Sequence, residues 1–215
     1  MLELINISLK WDSPKGKPFI KSLNLKIKNG SILCIFGKSG VGKSSLINLI
    51  AGISEDNLLF NGKIVLNGKT LNDIPTDKRK IGLLLQDGTL FPHLTVEQNL
   101  YFGMNKKIKY KEKLILINEN LRKANLEGFQ DRYPHTLSGG QKARIACIRA
   151  ILSEPEVLLL DEPFSSLDPE HRNTFKEFVI SKVKEIDIPC LLVTHDESDK
   201  MISDEQPIDL DMFMK

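Results

Sequence analysis

The chain has no apolar run approaching the roughly 20 residues that a membrane-spanning helix requires, so a soluble protein is expected. Its opening, Met1-Leu2-Glu3-Leu4-Ile5-Asn6-Ile7, has neither a basic leader nor a signal-type apolar core. Neither sign of charge dominates: 30 Lys and Arg stand against 28 Asp and Glu, and a net charge of +2 is too small to wrap nucleic acid. The three cysteines, Cys34, Cys147 and Cys190, stand far apart in apolar or helical sequence. That spacing excludes a C-x-x-C metal or redox pair and fits core packing in a reducing compartment. A length of 215 residues accommodates one α/β core, with or without a small subdomain.

What is present is a complete phosphate cradle. Gly37-Lys38-Ser39-Gly40-Val41-Gly42-Lys43-Ser44 follows the apolar stretch Ser31–Phe36 and precedes Ser45–Ile50, giving strand, glycine loop and helix. Gly37, Gly40 and Gly42 let the backbone wrap a phosphate with its N–H groups turned inward, and the helix start adds donors and a positive dipole end. Lys43 is placed to reach the β- and γ-phosphates, and Ser44 to put its hydroxyl on Mg²⁺. A nucleoside triphosphate is the ligand such a loop takes.

The surroundings read as an α/β fold with an insertion. Strands are expected over Leu2–Trp11, Phe19–Ile27, Gly62–Gly68, Lys80–Gln86, Val157–Leu160 and Pro189–Thr194, with turns at Asp12–Pro18 and Asn29-Gly30. The unbroken apolar run of Val157–Leu160 fits a central parallel strand covered on both faces. From about residue 87 to 150, helix-favouring sequence dominates, notably Val96–Phe102 and Tyr110–Ala124. The second has an amphipathic stripe of Leu114, Ile117, Leu121 and Ala124. This divides the chain into core residues 1–86, a helical subdomain 87–150, resumed core 151–203 and a tail 204–215, helical or frayed. Lys106, Lys107, Lys109, Lys111 and Lys113 form a basic cluster, read as a solvated face or as a contact for anionic lipid or an acidic partner.

Several polar residues end these strands, at the edge where open α/β sheets bind ligands. Asp161 and Glu162 follow Val157–Leu160: Asp161 is placed to hold Mg²⁺ through water, and Glu162 to polarise the attacking water. His195 follows the next strand and could bond the γ-phosphate or orient the water. Gln86, ending its own strand, could add an oxygen to Mg²⁺ or touch the water. Ser138-Gly139-Gly140-Gln141 opens a helix, with Ser138 as its cap and the glycines baring its donors, a second anion site. One small domain cannot bring both sites to one triphosphate, but a head-to-tail dimer can.

These residues in this order resemble the ABC-type ATPase family over about residues 2–202. Gly37–Ser44 matches the Walker A loop and Gln86 the Q-loop. Leu137–Gln141 matches the signature sequence, Val157–Glu162 the Walker B strand with its catalytic glutamate, Ser165–Asp168 the D-loop and His195 the switch histidine. The resemblance implies a P-loop core with N-terminal antiparallel strands and an inserted helical subdomain. It implies ATP and Mg²⁺ as cofactors, with nucleotide contacts from Trp11 and the Gly37–Ser45 loop of one subunit and from Ser138–Gln141 and Asp168 of the other. Trp11 falls where the family has an aromatic stacking on adenine, with Phe19 as a rival. Ser45 stands where threonine is commoner. Catalysis is assigned to Glu162, His195 and Gln86, and the metal to Ser44, Gln86 and Asp161.

Gln86–Val96 is similar to the same segment of bacterial importer ATPases for small solutes. The implied role is ATP hydrolysis driving import, at the cytoplasmic face of the membrane. The implied partners are a second copy or a similar ATPase subunit, an integral membrane permease and an extracytoplasmic solute-binding protein; nucleic acid is not expected. Permease contact is expected near Phe91–Gly103, through Phe91, Leu94, Leu100, Tyr101 and Phe102. The tail after His195 lacks the usual strand–turn–strand pattern, so no fused regulatory domain is expected. An exporter ATPase, or a soluble ATPase of DNA repair or translation, is the alternative, although the chain has no long heptad insert and a single cassette.

Overall fold

The computed structural model describes residues 1–13 and 17–213. Positions 14–16 of the expected Asp12–Pro18 turn, and 214–215 of the tail, lie outside the described residues. Two sheets form. In the first, β1 (Leu2–Trp11), β2 (Ile20–Ile27), β4 (Leu58–Leu66) and β5 (Lys69–Thr70) run antiparallel in the order β2-β1-β4-β5. In the second, β3 (Ile32–Phe36), β6 (Ile81–Leu84), β7 (Val157–Asp161), β8 (Cys190–Thr194) and β9 (Ile208–Asp209) run parallel in the order β6-β7-β8-β3-β9.

The parallel sheet is buried on both faces because side chains alternate along each strand. Leu33, Ile35, Val157, Leu159, Leu191 and Val193 face a core shared with the antiparallel sheet and helix α1 (Lys43–Ala51). Ile32, Cys34, Leu158, Leu160, Cys190 and Leu192 face the opposite core, with α4 (Gly139–Leu152) and α5 (Pro169–Ile186). That second core runs without a break into α2 (Val96–Gly103) and α3 (Tyr110–Lys123). The three cysteines are buried in it, as their apolar settings predict.

Several expectations change. β4 begins at Leu58, because Gly62 is a bulge inside the strand instead of its boundary: its φ is 108°, and a Cβ there would come within 2.6 Å of the Asn6 carbonyl oxygen. Opposite it the β1–β4 register shifts between Ile5 and Ser8. β6 stops at Leu84, so Gln86 lies in a turn closed by Gly88 N–H donating to the Leu85 carbonyl at 2.9 Å. The inner face of α3 is Lys113, Ile117, Asn120 and Leu121, with Leu114 half-buried. Lys113 leaves the basic cluster because its ammonium sits 4.1 Å over the Tyr101 ring, a cation–π contact, while Lys106, Lys107, Lys109 and Lys111 stay exposed. Leu100 is a fully buried core residue and offers nothing to a partner, whereas Tyr101 and Phe102 are exposed. Through residue 213 the tail is packed on the core: β9 adds to β3, and Leu210 is fully buried.

Candidate functional site

The loop between β3 and α1 folds as its glycines dictate. Gly40 (φ 81°) and Gly42 (φ 102°) take left-handed conformations that side chains resist. A Cβ on Gly42 would also lie 2.5 Å from the Phe19 ring. Gly42 is the N-cap of α1 and brings no side-chain hydrogen bond, so the first-turn amides lack that partner and suit an anion. Lys43 is almost fully buried, its Nζ donating to the carbonyls of Gly37 at 2.8 Å and Lys38 at 2.9 Å. Val41 points its side chain into the core, and its N–H goes to the Lys38 carbonyl. Ser45 donates to Glu55, which also holds Asn48. The far end of α1 is clamped by buried Arg79, which donates to the carbonyls of Leu49, Ile50 and Ile74.

β7 delivers Asp161 and then Glu162, whose φ of 51° is left-handed. That turn is held on three sides: Glu162 N–H donates to the Val193 carbonyl, and Ser165 Oγ and N–H both donate to the Glu162 carbonyl. The Glu162 carboxylate meets His195 Nδ1 at 2.7 Å and the Thr194 hydroxyl at 3.3 Å. Asp161 is buried, and its Oδ1 has no hydrogen-bond partner. Burial raises its pKa from the ordinary value, opposed by the Ser44 hydroxyl and Lys43 and reinforced by the Glu162 charge.

An orphaned buried carboxylate oxygen beside a serine hydroxyl is chemistry that a divalent cation satisfies. Among the described residues no group of three or more His, Cys, Asp or Glu side chains could hold a metal. Two oxygen donors of this kind fit a hard cation that keeps water and takes phosphate oxygens, as Mg²⁺ does.

Trp11, Phe19, Ser39, Gly40, Gly42–Ser45, Gln86, Glu162 and His195 line one cleft of about 410 Å³. Phe19 joins Trp11 instead of competing with it: the rings stack at 5.6 Å and 22°, leaving Trp11 46% exposed and able to take a second planar group. Ser138, Gly139, Gly140, Gln141 and Asp168 do not line this cleft. Ser138 and Gln141 form a capping box, so their side chains are already committed to one another. Gly139 and Gly140 lie against Ser166, where a Cβ on Gly140 would reach its carbonyl oxygen at 2.8 Å. Asp168 caps α5 through the His171 N–H. Within one chain these residues lie outside the cleft.

The sequence reading missed Arg79, Glu55, Thr194, Asp199 and Arg172. Asp199 is buried and accepts from Thr194, Arg172 and Lys176. For Asp199 the signal was a polar residue just after a strand end carrying a candidate histidine; the other four carried none.

A phosphate loop at the C-terminal edge of a parallel sheet, with a carboxylate pair on the next-but-one strand, defines a P-loop nucleotide-binding protein. The ABC transporter family pattern matches residues 20–165, and the chain belongs to that family as one of its ATPase cassettes. It is 38% identical over 199 residues to the uncharacterised ABC transporter ATP-binding protein YnjD of Escherichia coli (strain K12), covering 93% of this chain and 90% of the relative. It is 39% identical to the spermidine/putrescine import ATP-binding protein PotA of Mesoplasma florum, covering 95% of this chain but 57% of that protein. The chain thus spans little more than half the length of that import ATPase. The dimeric post-hydrolysis structure of the ATP-binding cassette MJ0796, bound to ADP and Pi, superposes with a TM-score of 0.81 at 28% identity, covering 94% of this chain and 91% of that one.

Proposed function

We propose that this cassette hydrolyses ATP to drive solute import through a separate membrane permease, working as a head-to-tail pair. The observation that carries the reading is one cleft lined by the phosphate loop, Glu162 and His195 together. No helix among the described residues is long and apolar enough to cross a membrane. Import is favoured because relatives of 39–40% identity are named for import of spermidine/putrescine, sulfate/thiosulfate and Fe(3+). Those cargoes are chemically unlike at nearly equal identity, as expected if the cassette contacts nucleotide and not solute.

In this reading Trp11 and Phe19 take the adenine, and the Gly37–Ser45 amides with Lys43 take the phosphates. Ser44, Asp161 and Gln86 would hold Mg²⁺, which would supply positive charge to offset that of the phosphate oxygens. Glu162 accepts a hydrogen bond from the attacking water, and His195 keeps the carboxylate aimed. Ser138–Gln141 and Asp168 of a second subunit close the cleft and exclude bulk water, which strengthens the electrostatic clamp. Residues 87–150 pass the motion to the permease through the exposed Tyr101 and Phe102.

The test is Glu162→Gln. It should bind ATP as the wild type does, lose turnover by about 100-fold or more, and accumulate as an ATP-dependent dimer in gel filtration. Unchanged phosphate release would remove Glu162 from the mechanism, and failure of the wild type to copurify with an integral membrane protein would remove transport.

A further inference from the structure

We propose that Asp199 is a positioning residue: by claiming the Thr194 hydroxyl proton it fixes the backbone that carries His195, and through His195 the hydrolytic arrangement of Glu162. The proposal rests on the ATPase reading for the identity of the reaction, and on independent geometry for the rest.

Asp199 is 1% exposed and reaches neither the phosphate loop nor the cleft. Its Oδ2 accepts from Thr194 Oγ1 at 2.9 Å. Its Oδ1 accepts from Arg172 Nη2 at 2.8 Å and from Lys176 Nζ at 2.7 Å, both on α5. A carboxylate this deep is costly unless paired, and two cations pair it. A core that needed only filling would place an apolar residue here.

Thr194 has one hydroxyl proton to give and two carboxylates in reach. Asp199 Oδ2 stands at 2.9 Å and Glu162 Oε2 at 3.3 Å, so the shorter bond claims the proton. Glu162 Oε2 then stays open to a hydrogen bond from water. With its proton committed, Thr194 Oγ1 accepts from the Asp196 N–H at 3.0 Å. Arg172 Nη2 also reaches Asp196 Oδ2 at 2.7 Å. The residues on both sides of His195 are thus pinned by one buried carboxylate and one guanidinium. The His195 side chain is 52% exposed, so its aim at Glu162 comes from this backbone and not from packing.

The same arrangement ties the Ser165–Asp168 segment to the cleft. Asp168 caps α5, and Arg172 N–H donates to the Asp168 carbonyl at 3.0 Å, one turn into the helix. Movement at Asp168 therefore displaces the guanidinium that holds Asp196 and Asp199.

Four variants of the full chain test the proposal. Asp199→Asn turns an amide donor toward Thr194, and Thr194→Val removes the hydroxyl at nearly constant volume, covering the case in which the first fails to fold. Each should lower kcat for ATP about tenfold while KM stays within about twofold, since orientation and not binding is lost. Thr194→Ser should recover about half or more of the activity lost in Thr194→Val, and the Asp199→Asn/Thr194→Val double variant should lose no more than the worse single one. A folded Thr194→Val with wild-type kcat, a loss confined to KM, or losses that multiply would each overturn it. The His195 ring resonances, read by NMR without nucleotide, should shift in Asp199→Asn; unchanged resonances overturn the proposal even if the wild type proves not to hydrolyse ATP.

Discussion

Lys43 Nζ donates to the Gly37 carbonyl at 2.8 Å, so the lysine that a triphosphate would recruit is folded back into its own loop. The Lys43 ammonium is satisfied within its own loop, and ATP has to exchange those two contacts for charge-assisted ones. ATP at about 100 times its Kd should stabilise the protein by about 3 kcal/mol, read as a rise in Tm. Lys43→Met should lose most of that rise, and a Tm response equal to the wild type would remove Lys43 from the ligand.

Asp161 carries an unpartnered buried oxygen, and burial raises its pKa. A carboxyl whose folded pKa is raised stabilises the fold below its unfolded pKa, and that contribution is lost as pH rises through the folded value. Asp161→Asn should therefore leave the nucleotide-free Tm at pH 7 equal to or above the wild type. The same change should weaken the Mg²⁺ dependence of turnover by about 10- to 100-fold, measured by Mg²⁺ titration at fixed ATP.

Gly140 approaches the Ser166 carbonyl too closely to admit a side chain, and the adjacent Ser138 end of α4 does not line the cleft of its own chain. Ser138→Arg should leave ATP binding by the monomer within about twofold and reduce turnover about 100-fold by blocking pairing. Wild-type turnover in that variant would mean that each chain completes its own site.

Cys34 and Cys147 have pKa values pushed up to about 12, mainly by burial, and Cys190 is raised for the same reason. All three thiols should resist a disulfide reagent at pH 8 in the folded protein and react on unfolding. Because the folded values are raised, stability should fall as pH climbs from about 9 toward 12, where only the unfolded chain ionises these thiols. Urea midpoints across that range measure it.

Arg79 is buried against the C-terminal end of α1, where its guanidinium satisfies the Leu49 and Ile50 carbonyls and complements the helix dipole. Arg79→Ala should cost about 3 kcal/mol in chemical denaturation, since it strands buried acceptors and opens a void beside Gly52.

The parts of this molecule that sequence reveals are those whose chemistry is local. Gly37–Ser44 is legible because turn, cradle and helix start lie within eight consecutive residues, and Val157–Leu160 because the part of a strand buried on both faces is apolar throughout. Glu162 and His195 were reachable from strand ends alone. Their carboxylate–imidazole contact was not, because it joins residues 33 positions apart. Asp199 and Arg172 looked like ordinary polar residues of a turn and a helix, and only tertiary packing gives them one another. Lys113 and Asn120 broke the apolar stripe of α3 because their polar atoms find Tyr101 and the Leu116 carbonyl. The two residues of β9 are too few for any periodicity to register.

The placement of β3 also dictates when a ribosome-bound chain becomes competent. Its flanks are supplied by Cys190–Thr194 on one side and Ile208–Asp209 on the other, and its amides at Ile32 and Cys34 are met by Asp204 and Ser203. During vectorial synthesis the ligand-grasping loop therefore emerges early but has no finished strand to stand on until some 170 further residues have followed. Abandoned translation products that stop short of that point would not sequester nucleotide in the cell.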